Sequence, residues 1–120
     1  MGQQSRIDEL QKQLRNVTED RYQTETNLRK LEQNTNDVQS IFQRVQHLFN
    51  EMSETWRKGE MSGQIANLQQ ETLHQQKRYL HDSEQDYEEL QKKKKTLRDK
   101  ENELYYQKLT LSRKEQTYEH

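Results

Sequence analysis

SIFQRVQHLFNEMSETWRKGEMSGQIANL, Ser40 to Leu68, decides the fold. Its first half carries Phe42, Val45, Phe49, Met52 and Trp56 at alternating steps of four and three, and its second half resumes with Ile65 and Leu68. Such steps place apolar side chains along one face of a helix. Between the halves lie Gly59 and Gly63, which give the backbone the freedom to reverse. The stretch therefore reads as the end of one helix, a bend over 57–63, and the start of another.

Working toward the N-terminus, the same spacing runs back through Val38, Thr35, Leu31, Leu28, Thr24, Arg21, Val17, Leu14 and Leu10 to Ile7, with only Arg21, Thr24 and Thr35 not apolar. An unbroken period of 3.5 residues calls for a partner helix and a left-handed supercoil. Helix 1 is expected over about 5–56, some 75 Å at 1.5 Å per residue. The three polar positions loosen that seam or fix its register. Ile41 and Leu48 widen the stripe beside Phe42, Val45 and Phe49.

Toward the C-terminus the second stripe is Ile65, Leu68, Thr72, Leu73, Tyr79, Leu80 and Tyr87, then a seven-residue repeat Leu90, Leu97, Leu104, Leu111 and Tyr118. Helix 2 is expected over about 64–116. The companion heptad positions of its distal half are Lys94, Glu101, Lys108 and Glu115, so the seam there is one apolar residue wide and is expected to fray or to await a partner. Tyr105, Tyr106 and Leu109 broaden it locally. A short bend between two helices of similar length makes an antiparallel hairpin. The expected fold is all-α, one coiled-coil-like domain over 1–120, with Trp56 closing the seam beside Ile65 and the aromatic tip as its best-packed part.

Composition agrees. The chain has 27% hydrophobic and 34% charged residues and no proline, which suits long helices and not a thick core. The net charge is −1 with both signs interspersed, so no basic field draws in nucleic acid or an anionic membrane. Lys92–Lys95 follows Asp82, Glu84, Asp86, Glu88 and Glu89, and acid before base at three or four residues supports an exposed helix. A nucleic-acid role for that run would need binding that falls steeply with salt. The absence of an apolar run in MGQQSRIDEL or elsewhere leads us to expect a soluble cytoplasmic chain without membrane insertion.

Chemistry has little to stand on. There is no cysteine, and His47, His74, His81 and His120 include no i, i+4 pair for a metal. A two-helix hairpin offers no water-excluding pocket to shift the pKa values of its many carboxylates, and no nucleotide-binding or nucleophile motif is present. The chain is read as no enzyme, with no catalytic, metal or cofactor residues. What remains is a surface for helices. Ile41, Phe42, Leu48, Phe49, Tyr79, Tyr87, Tyr105 and Tyr106 are the candidate partner interface, because tyrosine-rich apolar stripes are what interfaces use. Trp56, Gly59 and Gly63 form the tip.

A helical hairpin of this length with Trp56 followed closely by Gly59 resembles the WXG-type proteins of type VII, or ESX, secretion. The stretches ETWRKGEMSG (54–63), ETLHQQKRYL (71–80) and DKENELYYQKL (99–109) resemble more narrowly the small helical proteins that accompany LXG-domain toxins in Gram-positive bacteria. The likeness covers about residues 5–113. It implies a targeting factor or chaperone that binds the helical N-terminal region of a toxin, with a second small helical protein, and completes a helical bundle. Two residues separate Trp56 from Gly59 where the WXG signature has one. The export pattern, Tyr followed four residues later by an acid, is missing at Tyr79, Tyr87, Tyr105 and Tyr106. The resemblance thus implies that a partner carries the recognition element if the complex is exported. Other readings are a self-associating coiled-coil scaffold, a homodimer of the chain when alone, and an open rod formed by two chains with straightened bends.

Overall fold

The computed structural model describes residues 2–118, and of Gln3 and residues 115–118 it describes the backbone alone. Two helices account for nearly all of it: α1, Gly2–Thr55, and α2, Glu60–Tyr118. The fold is an all-α helical hairpin. Good helix formers and the absence of proline keep each helix continuous. α1 ends where the Trp56 N–H donates to the Met52 carbonyl at 2.9 Å, and the chain then passes through Gly59 at φ +97°. That conformation is open to glycine and costly for residues with a Cβ. Glu60 opens α2 and places a carboxylate at the positive end of its dipole.

The connection is therefore residues 56–59, shorter than the bend expected over 57–63. Gly63 lies inside α2, at ordinary negative φ and with open space around an added Cβ. The reversal needs one glycine, not two.

The chain divides into two compact units, one formed by residues up to Leu28 with those from Glu89 onward, the other by Arg29–Glu88. In the first unit, Leu10, Val17 and Leu104 are buried, and Leu14, Leu97 and Leu111 pack against them. Arg21 reaches Glu101 and Glu25 reaches Arg98 across the helices. Rising numbers on α1 thus meet falling numbers on α2, the antiparallel order. Within the leucine repeat of α2, Leu104 is buried with Leu10 and Val17 of α1, and its polar companion Glu101 is taken by Arg21.

In the second unit, the Phe42 and Tyr79 rings lie 6.5 Å apart, and Gln69 Nε2 donates to Gln46 Oε1 at 3.1 Å. That order is again antiparallel. Ile65 is the buried apolar residue of this unit. Along α2 the inward positions are Ile65, Gln69, Leu73, Gln76, Leu80, Ser83 and Tyr87, each buried or half-buried. Two successive steps of four, Ile65 to Gln69 to Leu73, interrupt the heptad and locally unwind it.

The threonines of the two stripes bond within their own helices. The hydroxyls of Thr24, Thr35 and Thr72 donate to the carbonyls of Asp20, Leu31 and Leu68, each at 2.8 Å. A threonine bonded back to its own helix needs no partner from the opposite helix and presents its methyl there.

The tip reverses the sequence expectation. Trp56 is 47% exposed, Met52 38% and Leu68 51%. Side chains 50–61 are exposed throughout. Trp56 stands one residue past the last helical position, so the heptad step that would turn it inward is no longer enforced.

Candidate functional site

The best-defined polar arrangement belongs to the first unit. Arg21 donates from Nε to Glu101 Oε2 at 2.7 Å and from Nη2 to Oε1 at 3.4 Å, a forked contact across the two helices. Its Nη1 donates to Glu25 Oε1 at 3.0 Å, and Arg98 Nη2 lies 3.7 Å from the same carboxylate. The guanidinium also stands 5.0 Å from the centre of the Tyr22 ring. The hydrogen bond to Glu101, above all, raises the Arg21 pKa, with burial acting in the opposite sense and Glu25 adding to the rise. Arg21 stays a cation at any working pH. This network joins the two helices in register.

Sequence spacing marked Arg21 and Glu101 separately as weak points of the two seams. The signal that joins them is their opposite charge at inward positions of two antiparallel arms.

The remaining candidates are surfaces. Of the expected interface residues, Ile41, Leu48, Tyr105 and Tyr106 are exposed, the last two as an edge-to-face pair 5.7 Å apart. Phe42, Phe49, Tyr79 and Tyr87 are half-buried. Phe42 and Tyr79 face each other across the helices as a tilted ring pair. Tyr87 lines a shallow groove of about 570 Å³ in the second unit with Leu31, Thr35, Leu80 and Ser83. Small side chains at Thr35 and Ser83 leave that space between the helices.

Tyr22, Met61 and Leu68 are also exposed, and the sequence reading missed them as surface. Met61 and Leu68 are seven residues apart, two turns of one helix, which was the available signal. Ile41 and Leu48 share the same spacing on α1. Each pair is rotated to the same side of its own inward stripe, and in antiparallel helices of one hand that brings both pairs to one face of the second unit. Ile41 is 55% exposed and Leu48 56%.

Acidic and histidine side chains form no metal cage: among the described residues no group of three or more His, Cys, Asp or Glu is placed to hold an ion. His47 Nε2 and Glu51 Oε1 lie 3.1 Å apart on the open surface. His120 and the side chain of Tyr118 lie outside the described residues. Lys92, Lys93 and Lys95 are exposed while Lys94 is half-buried, so the lysine run is spread around α2. No described helix is long and apolar enough to cross a membrane.

Comparison with known families finds a match over residues 5–111 to the model of a protein of unknown function, DUF3958. No curated protein and no solved structure matches the chain.

Proposed function

The chain belongs to the DUF3958 family, and we propose that it is a non-enzymatic accessory protein that binds the helical N-terminal domain of an LXG toxin. With a second small helical protein it would help to target that toxin to type VII secretion, from the cytoplasm and as part of an exported complex. The observation that carries the reading is the set of large side chains that the first unit leaves uncovered, Tyr22, Tyr105 and Tyr106. Burying such side chains against a helical partner is worth roughly 25 cal/mol per Å² of apolar surface. The resemblance of residues 54–63, 71–80 and 99–109 to proteins that accompany LXG toxins supplies the identity of the partner.

The test is co-expression of the tagged chain with the products of neighbouring genes, followed by affinity purification in high salt. Retention of an LXG protein, lost on Tyr105→Ser together with Tyr106→Ser, supports the proposal. Recovery of the chain without any LXG protein or small helical protein rejects it.

A further inference from the structure

The exposed face of the second unit specifies an occupant through its own pattern, and we infer that this occupant is a second copy of the chain, docked about a two-fold axis perpendicular to the helices. On α1, Ile41, Val45, Leu48 and Met52 recur at steps of four, three and four, with Val45 half-buried and the other three exposed. Such a run has the spacing of a coiled-coil seam. Pairing it with its own copy in reverse sets Ile41 against Met52 of the second copy and Val45 against Leu48, four layers in all with none left over.

The same register places Arg44 beside Glu51 of the second copy, and Glu51 beside that copy's Arg44. Both residues flank the apolar run at positions seven apart, on the side that faces away from α2. Among the described residues Arg44 takes part in no ion pair within the chain. Glu51, 61% exposed at its side chain, contacts only His47 and, through its carbonyl, Thr55. The register that matches the apolar layers also sets opposite charges beside each other, and this complementarity favours the second copy as occupant.

α2 fits the same axis. The midpoint of the α1 run lies between Gln46 and His47, and the Gln46–Gln69 hydrogen bond puts that level beside residue 69 of α2. Leu68, exposed on the same face, therefore stands next to the axis and meets Leu68 of the second copy. The apolar run spans about 17 Å, at the small end of stable interfaces. The dimer is therefore expected to dissociate in the micromolar range, roughly 1–50 μM.

Sedimentation velocity of the purified full chain, from below to well above that range, tests this. The expected result is a shift from the 14.8 kDa chain to twice that mass. Leu48→Glu abolishes the shift, and Arg44→Glu or Glu51→Arg alone weakens it by roughly tenfold. The double variant Arg44→Glu, Glu51→Arg restores it. Helix content by circular dichroism checks that each variant folds, and the exposed charge variants do not depend on the core. Because the chain has no cysteine, Leu68→Cys gives a unique thiol, and a short bis-maleimide should cross-link it as a dimer. A monomer at every concentration overturns the proposal. So does a dimer that is indifferent to Leu48→Glu and to the charge reversals, or one in which the double variant is as weak as the single ones.

Discussion

Replacing Leu10 by alanine is the sharpest test of where this hairpin keeps its stability. Leu10 is 1% exposed, in the cluster with Val17 and Leu104. Leu→Ala in a closed core costs about 2–5 kcal/mol, set by how large a cavity remains. Here the core is one layer deep, and a shallow groove lined by Leu10, Tyr106 and Leu111 adjoins the site. Neighbours can relax and water can reach the gap, so the lower part of the range applies, about 2–3 kcal/mol. Trp56 is the larger side chain, but it is 47% exposed. Trp56→Ala is expected to cost about 1 kcal/mol. With a urea slope of roughly 1.5 kcal/mol per molar for a chain of this size, the midpoint should fall by about 1.3–2 M for Leu10→Ala and about 0.7 M for Trp56→Ala. Circular dichroism at one fixed protein concentration reads both, the fixed concentration removing any contribution from association. A Trp56→Ala shift equal to or larger than that of Leu10→Ala would refute the placement of the core.

Gly59→Ala should lower stability by about 1–2 kcal/mol, because its φ of +97° strains any residue with a Cβ. Gly63→Ala, within α2 and with nothing near its added Cβ, should raise stability by about 0.5–1 kcal/mol; thermal melts of the two variants should move in opposite directions. A double-mutant cycle on Arg21→Met and Glu101→Gln should give a coupling of about 1–2 kcal/mol, more than exposed pairs show, since both side chains are largely shielded at 16% and 25% exposure; a coupling near zero would deny the pair a registering role. Ser83→Leu should be tolerated or stabilising, since Ser83 borders the groove with Leu31, Leu80 and Tyr87. A loss of helix content in that variant would show that the space is needed.

Much of α1 was legible because its inward residues are apolar and evenly spaced: every step from Ile7 to Phe49 is buried or half-buried. The inward face of α2 was legible only where leucines mark it. Gln69, Gln76 and Ser83 carry no apolar signal, and the irregular step at Ile65–Gln69–Leu73 breaks the period by which they could have been found. The exposed apolar surface was partly legible, since Ile41, Leu48, Tyr105 and Tyr106 are apolar or aromatic residues off the main stripe. Met61 and Leu68 were hidden, because in the linear pattern Leu68 belongs as readily to the seam as to its flank.

Trp56 shows the limit of periodicity most clearly. A heptad position predicts burial only while the helix continues and an opposing turn lies across from it. Thr55 ends the helix, and Trp56 keeps the spacing without the geometry. Arg21 shows the converse: a residue that breaks the apolar pattern is half-buried because Glu101, itself a break in the other pattern, lies 2.7 Å away. Two defects that each weaken a seam in sequence become one paired contact in the antiparallel register. Slipping that register by one heptad would put Arg21 beside Lys94 or Lys108 in place of Glu101, exchanging an ion pair for a repulsion at a half-buried site. The pairing of the arms is thereby set by charge at a place where leucines, repeating every seven residues, would accept either neighbour.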